Sequence, residues 1–267
     1  MAIQTSAPTP PSPLGRRLIA WLADWRRVFF FGALAAVMIL SKSTYDQANR
    51  ASIARQIHVT TWQILPWFSV LSGVISLVLI RVVLVTAVGY GLSRFALDMV
   101  VRVLVLEVIP LIAALYVTMR SILAVNPQVA GLHIPRNLDV LGGADTDRVR
   151  DELVPRVIAY AFSVLAMVVV SGVVTLFMAY VSVYGFSRWG LPEFDRTVSQ
   201  AFDPLVTAGF MLKVMFFSLA VAVIPIAASL DAPPEDSDQT AAIPAGTVRL
   251  FVALFVIEGL SLVVRYV

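Results

Sequence analysis

Charged side chains interrupt the long apolar stretches of this sequence at five central positions: Arg81, Arg102, Glu107, Lys213 and Glu258. Glu107 is the most informative of them, because it lies with Pro110 inside the apolar segment Met99–Met119. A carboxylate among about twenty mostly apolar residues is costly in lipid, so such a group faces a protein interior or a water-filled cavity. The residue therefore indicates a membrane protein and marks the expected position of its working site.

Sequence motifs for catalysis are missing. The chain contains no GxxxxGK[ST] for nucleotide phosphates, no HExxH for zinc and no GxSxG for a nucleophilic serine. Its two histidines, His58 and His133, are far apart in the sequence, and cysteine is absent. These absences argue against an intramembrane enzyme or a metal centre. We expect a non-catalytic channel or carrier subunit with no cofactor of its own.

The composition is that of a protein embedded in lipid. The chain has 59% hydrophobic and 14% charged residues, with a mean hydropathy of +0.85. Five runs approach or exceed the roughly 20 residues that a spanning helix needs; they are Ile64–Val85, Met99–Met119, Val154–Tyr184, Val206–Leu230 and Thr247–Val267. The predicted fold class is an all-α integral membrane protein with about five transmembrane helices.

The region before the first crossing differs in composition. Residues 1–15 are rich in proline, serine and threonine and predict a flexible N-terminus, whereas residues 16–63 predict an interfacial amphipathic region ahead of the transmembrane domain, 64–267. Within this region Val28–Leu40 contains thirteen residues without a polar side chain. That length is short for a crossing, and the tryptophans and arginines just upstream favour a helix in the membrane interface over a sixth crossing.

The distribution of basic residues predicts the topology. The chain before residue 64 carries Arg16, Arg17, Arg26, Arg27, Lys42, Arg50 and Arg55 against two acidic residues. By the positive-inside rule this end stays in the cytoplasm. Five crossings then place the segment 121–152 inside and a short predicted helix, Glu193–Phe202, outside.

A set of short motifs follows in fixed order along the chain. Its members are Arg55-Gln56-Ile57, LEVIP with Glu107 and Pro110, Arg120, Asp139 with Leu141, Pro155-Arg156-Val157 and LKVMFF around Lys213. In this order and spacing the chain resembles the MlaE/YrbE family, the permeases of lipid-transporting ABC systems that work with MCE-domain proteins. Several positions depart from the family pattern, so the chain is similar to a divergent member: Leu106 and Ile109 replace an arginine and a glycine, and Gln128 and Arg136 replace glutamates.

The resemblance implies a set of partners and a location. It implies a permease homodimer in the bacterial inner membrane, an ABC ATPase subunit on the cytoplasmic side that binds ATP and Mg²⁺, and a periplasmic MCE-domain protein. The transported molecule would be a lipid, with phospholipid as the family default, and no nucleic acid is involved. The lipid-binding residues would be Leu79, Tyr90, Glu107 and Lys213. The coupling surface for the ATPase would contain Gln128, Gly131, Leu132, Arg136, Asp139 and Leu141, with Asn126–Leu141 forming two short helical pieces.

Other interpretations remain open at the level of sequence. A self-contained secondary transporter would need broken helices related by an internal repeat, and none is visible. A passive structural subunit would leave Glu107 without a purpose. Glu107 itself could serve only to hold the bundle together by pairing with Arg102 or with Lys213.

Overall fold

A computed structural model describes residues 13–41, 47–129, 153–230 and 245–266 of the chain. Every regular element in these ranges is helical. Five of the described helices are long and apolar enough to cross a membrane: Arg50–Gly89, Phe95–Ser121, Val154–Tyr184, Pro204–Ala228 and Gly246–Arg265. The predicted all-α membrane fold is confirmed, and each of the five apolar runs coincides with one of these helices.

The helices are numbered here in chain order. They are α1 (Pro13–Leu40), α2 (Gln47–Ile57), α3 (Leu65–Gly89), α4 (Ser93–Met99), α5 (Ile109–Val129), α6 (Val154–Tyr184), α7 (Leu191–Ala201), α8 (Pro204–Leu230) and α9 (Ala245–Tyr266). Two segments are π-helical. His58–Trp62 follows α2 and leads to α3, and Val100–Val108 connects α4 to α5. A short 3₁₀ turn, Arg188–Gly190, leads into α7, which occupies the place of the predicted helix Glu193–Phe202.

Helices α6 and α8 form the centre of the bundle. Helix α8 packs against α1, α5, α6 and α9, and α6 packs against α3 and α5. Large side chains at the core of this contact are fully buried, among them Met167 of α6, Phe217 of α8 and Leu254 of α9. Since lipid offers helices no hydrophobic gain from association, close van der Waals packing of this kind is what stabilises a membrane bundle.

The α3–α6 interface adds polar contacts between small residues. The hydroxyl oxygens of Ser76 and Thr175 lie 2.7 Å apart. Just ahead of α3, the hydroxyl of Thr61 in the π-helical segment His58–Trp62 lies 2.7 Å from that of Ser163 on α6. Gly73 brings the α3 backbone close to Val174, because a Cβ at this position would lie 3.3 Å from Cγ1 of that valine. Small residues and hydroxyl pairs are the usual means of bringing membrane helices together.

Helix α1 contains the run Val28–Leu40. One face of it, with Val28, Phe31, Ala35 and Met38, is buried in the same core cluster as α8, whereas Phe29 and Val37 on other faces are about 70% exposed. The apolar stretch Val28–Ile39 is shorter than the five spanning helices. Its position in the membrane interface therefore stays a prediction.

The segment predicted to couple to an ATPase begins inside a spanning helix. Helix α5 continues through Pro127 to Val129. Residues 126–129 therefore prolong the second crossing and do not begin the first of the two short helical pieces predicted for Asn126–Leu141. Residues 130–152 lie outside the described ranges.

Candidate functional site

Glu107 lies in the π-helical segment Val100–Val108, just before α5. A π-helix bonds each amide to the carbonyl five residues earlier, and the amide of Ile109 bonds in this way to the carbonyl of Leu104. Such wide turns occur mostly as short insertions in α-helices, frequently at functional sites. The irregular segment directs Glu107 inward, where the whole residue is only 8% exposed.

Pro110 explains a second feature of this turn. In an α-helix the carbonyl of Leu106 would accept a hydrogen bond from the amide at position 110, and proline has no amide hydrogen. The ammonium group of Lys213, from α8, donates to this carbonyl at 3.3 Å. A side chain from the neighbouring helix thus satisfies the backbone group that the proline frees, as membrane helices commonly require.

Lys213 holds two carboxylates as well as this carbonyl. Its Nζ donates to Oε2 of Glu107 and to Oε1 of Glu258 at 2.9 Å. A lysine ammonium has three protons to donate, and three groups (Leu106, Glu107 and Glu258) accept them. With a side chain only 2% exposed, Lys213 is fully engaged in this arrangement.

Helix α9 contributes both Glu258 and Arg265. Nη1 of Arg265 lies 2.6 Å from Oε1 of Glu107, so the two oxygens of Glu107 bind two different cations. The result is an alternating chain of charges, Glu258–Lys213–Glu107–Arg265, which we name the charge cluster. It joins α8 and α9 to the π-helical segment.

The charge cluster is formally neutral, with two carboxylates, one ammonium and one guanidinium. Its side chains are 2 to 15% exposed, and Arg265 is the most accessible of them. Moving each charged group out of water costs roughly several kcal/mol. This cost is offset only when the oppositely charged partners are close and well hydrogen-bonded. The arrangement is suited to recognising a charged or zwitterionic group that could exchange with one of its ion pairs.

The alternative partner for Glu107, Arg102, is occupied elsewhere. Its Nε donates to Asp98 Oδ1 at 2.7 Å, one helical turn earlier, and Nη2 lies 3.4 Å from the carbonyl oxygen of Gln200 near the end of α7. Its side chain is 37% exposed. Of the two pairings that the sequence left open, the structure contains the one with Lys213.

Of the other two predicted lipid-binding residues, Leu79 lies on α3 and Tyr90 directly follows it. Leu79 packs against a second apolar cluster that includes Ile80, Val101, Leu104 and Ala179. Tyr90 follows the end of α3 and is 78% exposed. Glu107 and Lys213 therefore come together in an ion pair. The contact of all four residues with lipid stays a prediction.

The predicted coupling residues lie at or beyond the end of α5. Gln128 belongs to the last turn of that helix. The remaining ones are outside the described residues: Gly131, Leu132, Arg136, Asp139 and Leu141.

Two members of the charge cluster were not assigned to a site from the sequence. Glu258 was visible as a charge in an apolar run, and Arg265 follows it by seven residues, or about two helical turns. This spacing puts both side chains on one face of a helix. A pair of opposite charges at that spacing in the last apolar run was the signal that could have revealed them.

Comparison with known proteins gives one clear result. The family model described as Permease MlaE matches residues 53–264, a range that begins in α2 and ends one residue before Arg265. No curated protein matches the chain.

Proposed function

Because the chain belongs to the MlaE permease family, we propose that it is the membrane subunit that passes phospholipid between the inner membrane and a periplasmic MCE-domain partner. Membership of the family makes it a permease subunit of a lipid ABC transporter, with several membrane-spanning helices. The choice of phospholipid and of the MCE-domain partner is the proposal.

The observation that carries the proposal is the buried pairing of Glu107 with Lys213. Glu107 belongs to the motif LEVIP and Lys213 to LKVMFF, two motifs on which the resemblance rests. Charged residues within membrane-spanning segments are costly and therefore usually have a function: they bind a polar ligand or hold helices together. A phospholipid offers both a charged headgroup for such a site and acyl chains for its apolar surroundings.

A separate ATPase would drive the transport. The sequence contains no phosphate-binding GxxxxGK[ST] motif, so ATP and Mg²⁺ would be bound by that partner on the cytoplasmic side. The segment from Gln128 to Leu141 would form the contact surface. With a cytoplasmic N-terminus this segment lies on the same side of the membrane as the ATPase.

A second copy of the permease would cover part of the bundle. Two spanning helices bury few of their residues within the bundle. The buried share is 17% in the apolar part of α9 and 28% in that of the α2–α3 span, compared with 61% in that of α8. The faces of α3 and α9 therefore remain available either to lipid or to a second chain. We place the lipid pathway between two such copies.

The test is reconstitution of the transporter from this chain, the ATPase and the MCE-domain protein encoded beside it. The complex in liposomes should move labelled phospholipid to the MCE-domain protein when ATP is supplied, and the isolated permease should neither hydrolyse ATP nor transfer lipid. ATP turnover by the isolated chain, or a complete complex that binds no phospholipid, would contradict the proposal.

A further inference from the structure

The pair Arg265–Glu107 is the outermost and most accessible link of the charge cluster. Both members of this pair are partly accessible, with Arg265 15% and Glu107 11% exposed, whereas the other pair joins Glu258, 13% exposed, to a Lys213 that is only 2% exposed. Lys213 also has each of its three protons directed at an acceptor. A ligand that approaches the cluster would therefore meet the Arg265–Glu107 pair before it could engage Lys213.

We propose that Arg265 is a specificity-determining residue: the Arg265–Glu107 pair opens to receive a zwitterionic headgroup, with the phosphate bound to Arg265 and the headgroup ammonium bound to Glu107. This proposal rests on the proposed function, since it concerns the lipid that the permease carries. A site of this kind selects zwitterionic phospholipids over those with a net negative charge.

Charge balance is the physical reason for this selection. The cluster contains two positive and two negative side chains, and a zwitterion adds one charge of each sign. One ion pair is then replaced by two, and the site stays neutral. A headgroup with a phosphate and no ammonium would leave Glu107 without its guanidinium and would give the site a net charge of −1, which is costly in an apolar surrounding.

The geometry of the guanidinium suits the role assigned to it. Arginine presents a planar fork of donors that binds phosphate through two parallel hydrogen bonds, whereas an ammonium acts as a point charge. Lys213 would keep Glu258 and one oxygen of Glu107 in place during the exchange. It would thus act as a positioning residue, and Arg265 as the one that changes partner.

The test compares the binding of phosphatidylethanolamine and phosphatidylglycerol to the purified full-length permease in nanodiscs of each composition. Binding is measured by competition against one fluorescent phospholipid. The wild-type chain should prefer the ethanolamine lipid. Glu107→Gln changes the charge of the cluster from 0 to +1, and it should lower that preference on the order of tenfold, equivalent to one lost charge-assisted hydrogen bond.

Variants of Arg265 separate its role from general stability. Arg265→Gln should weaken the binding of both lipids, and Arg265→Lys should restore the preference at lower affinity, because the charge returns without the fork. The matched control is Arg102→Gln, which removes an arginine that pairs with Asp98, and it should leave the preference unchanged. Melting temperatures of all variants identify any that fail to fold. If Arg265→Gln does not fold, the lipid affinities of Arg265→Lys test the role of Arg265.

The outcomes are distinct. If the wild-type chain binds phospholipid but Glu107→Gln leaves the preference at its wild-type value, the exchange at Arg265 is wrong and the proposed function stands. If Arg265→Gln binds both lipids as tightly as wild type, the assignment of the phosphate to Arg265 is overturned. If the wild-type permease binds neither lipid, this inference and the proposed function both fail.

Discussion

Glu258 and Arg265 lie about two turns apart on one face of α9 and bind opposite ends of the same pair: Glu258 binds Lys213, and Arg265 binds Glu107. The last helix of the chain is thus connected to the bundle by two ion pairs of opposite polarity. Its apolar contacts are made chiefly with α8, and exposed residues such as Phe255 and Val256 cover its outer face. The two ion pairs therefore add a polar link to the apolar packing of α9 on α8.

Replacement of Lys213 by methionine should destabilise the protein by about 3–5 kcal/mol, because it leaves Glu107 and Glu258 close together and removes the cation that they share. The double variant Lys213→Met with Glu258→Gln should recover a large part of the lost stability, because it removes one positive and one negative charge together. Unfolding in mixed micelles with increasing denaturing detergent measures both. Equal losses in the single and double variants would show that the charges do not interact as the distances indicate.

The hydroxyl pair of Ser76 and Thr175 should contribute a coupling free energy of about 0.6 kcal/mol, the average for hydrogen bonds between membrane helices. A double-mutant cycle with Ser76→Ala and Thr175→Val measures it by the same unfolding assay. Thr86→Val in the exposed part of α3 is the control and should have little effect. Strictly additive losses would mean that the two hydroxyls stabilise the helices independently.

Gly246→Ala should destabilise the N-terminal end of α9 by roughly 1–3 kcal/mol, the usual range for overpacking. A Cβ at this position would collide with the Cβ of Ala228 on α8, whereas a Cβ at Gly259 on the same helix meets nothing within 4 Å. Gly259→Ala is therefore the matched control and should be neutral or slightly stabilising. Melting temperatures that fall equally in both variants would indicate a general intolerance of α9 to alanine instead.

Photo-crosslinking residues at Leu79 and Tyr90 should capture phospholipid in cells that express the complete transporter. Leu79 lies on α3, which presents an exposed apolar surface that includes Val82 and Val85, and Tyr90 follows the end of that helix. Val173 on the exposed side of α6 provides a comparison for contact with bulk lipid. Capture at Val173 with none at Leu79 and Tyr90 would place the lipid pathway on another face.

Replacement of Leu132 by aspartate should abolish recruitment of the ATPase and leave membrane insertion intact. The physical reason is that a short segment docked in a partner's groove depends on buried apolar anchors. Co-purification of the ATPase with the variant permease checks it, and His133→Asp at the next position is the control. A variant complex that forms normally would locate the contact surface elsewhere.

The spanning helices could be predicted from the sequence because their signal is local. About twenty consecutive apolar residues suffice to identify a crossing, and each of the five runs gave this signal. The pairing of Glu107 with Lys213 was one of two alternatives, and the sequence could not decide between them. That choice depends on the angle at which Val100–Val108 presents its side chains, and a π-helical turn does not follow the period of an α-helix.

The contribution of α9 was beyond sequence reasoning for a different reason. Arg265 binds Glu107 across 158 positions of the chain, and no local pattern specifies such a contact. The effect of Pro110, by contrast, is local in the sequence. The consequence of Pro110 for the carbonyl four residues earlier follows from covalent geometry alone, although the sequence could not say that Lys213 would satisfy it.

The state of Lys213 gives the protein a built-in chemical reporter. The chain has two lysines, Lys42 and Lys213, and an ammonium whose three protons are all held by acceptors offers no lone pair to an acylating reagent. Any movement that draws α9 away from α8 would release Glu258 and expose that amine. A membrane-permeant amine reagent, followed by peptide mass spectrometry, would then record the opening of the bundle as a modification at Lys213, which lies in a different peptide from Lys42.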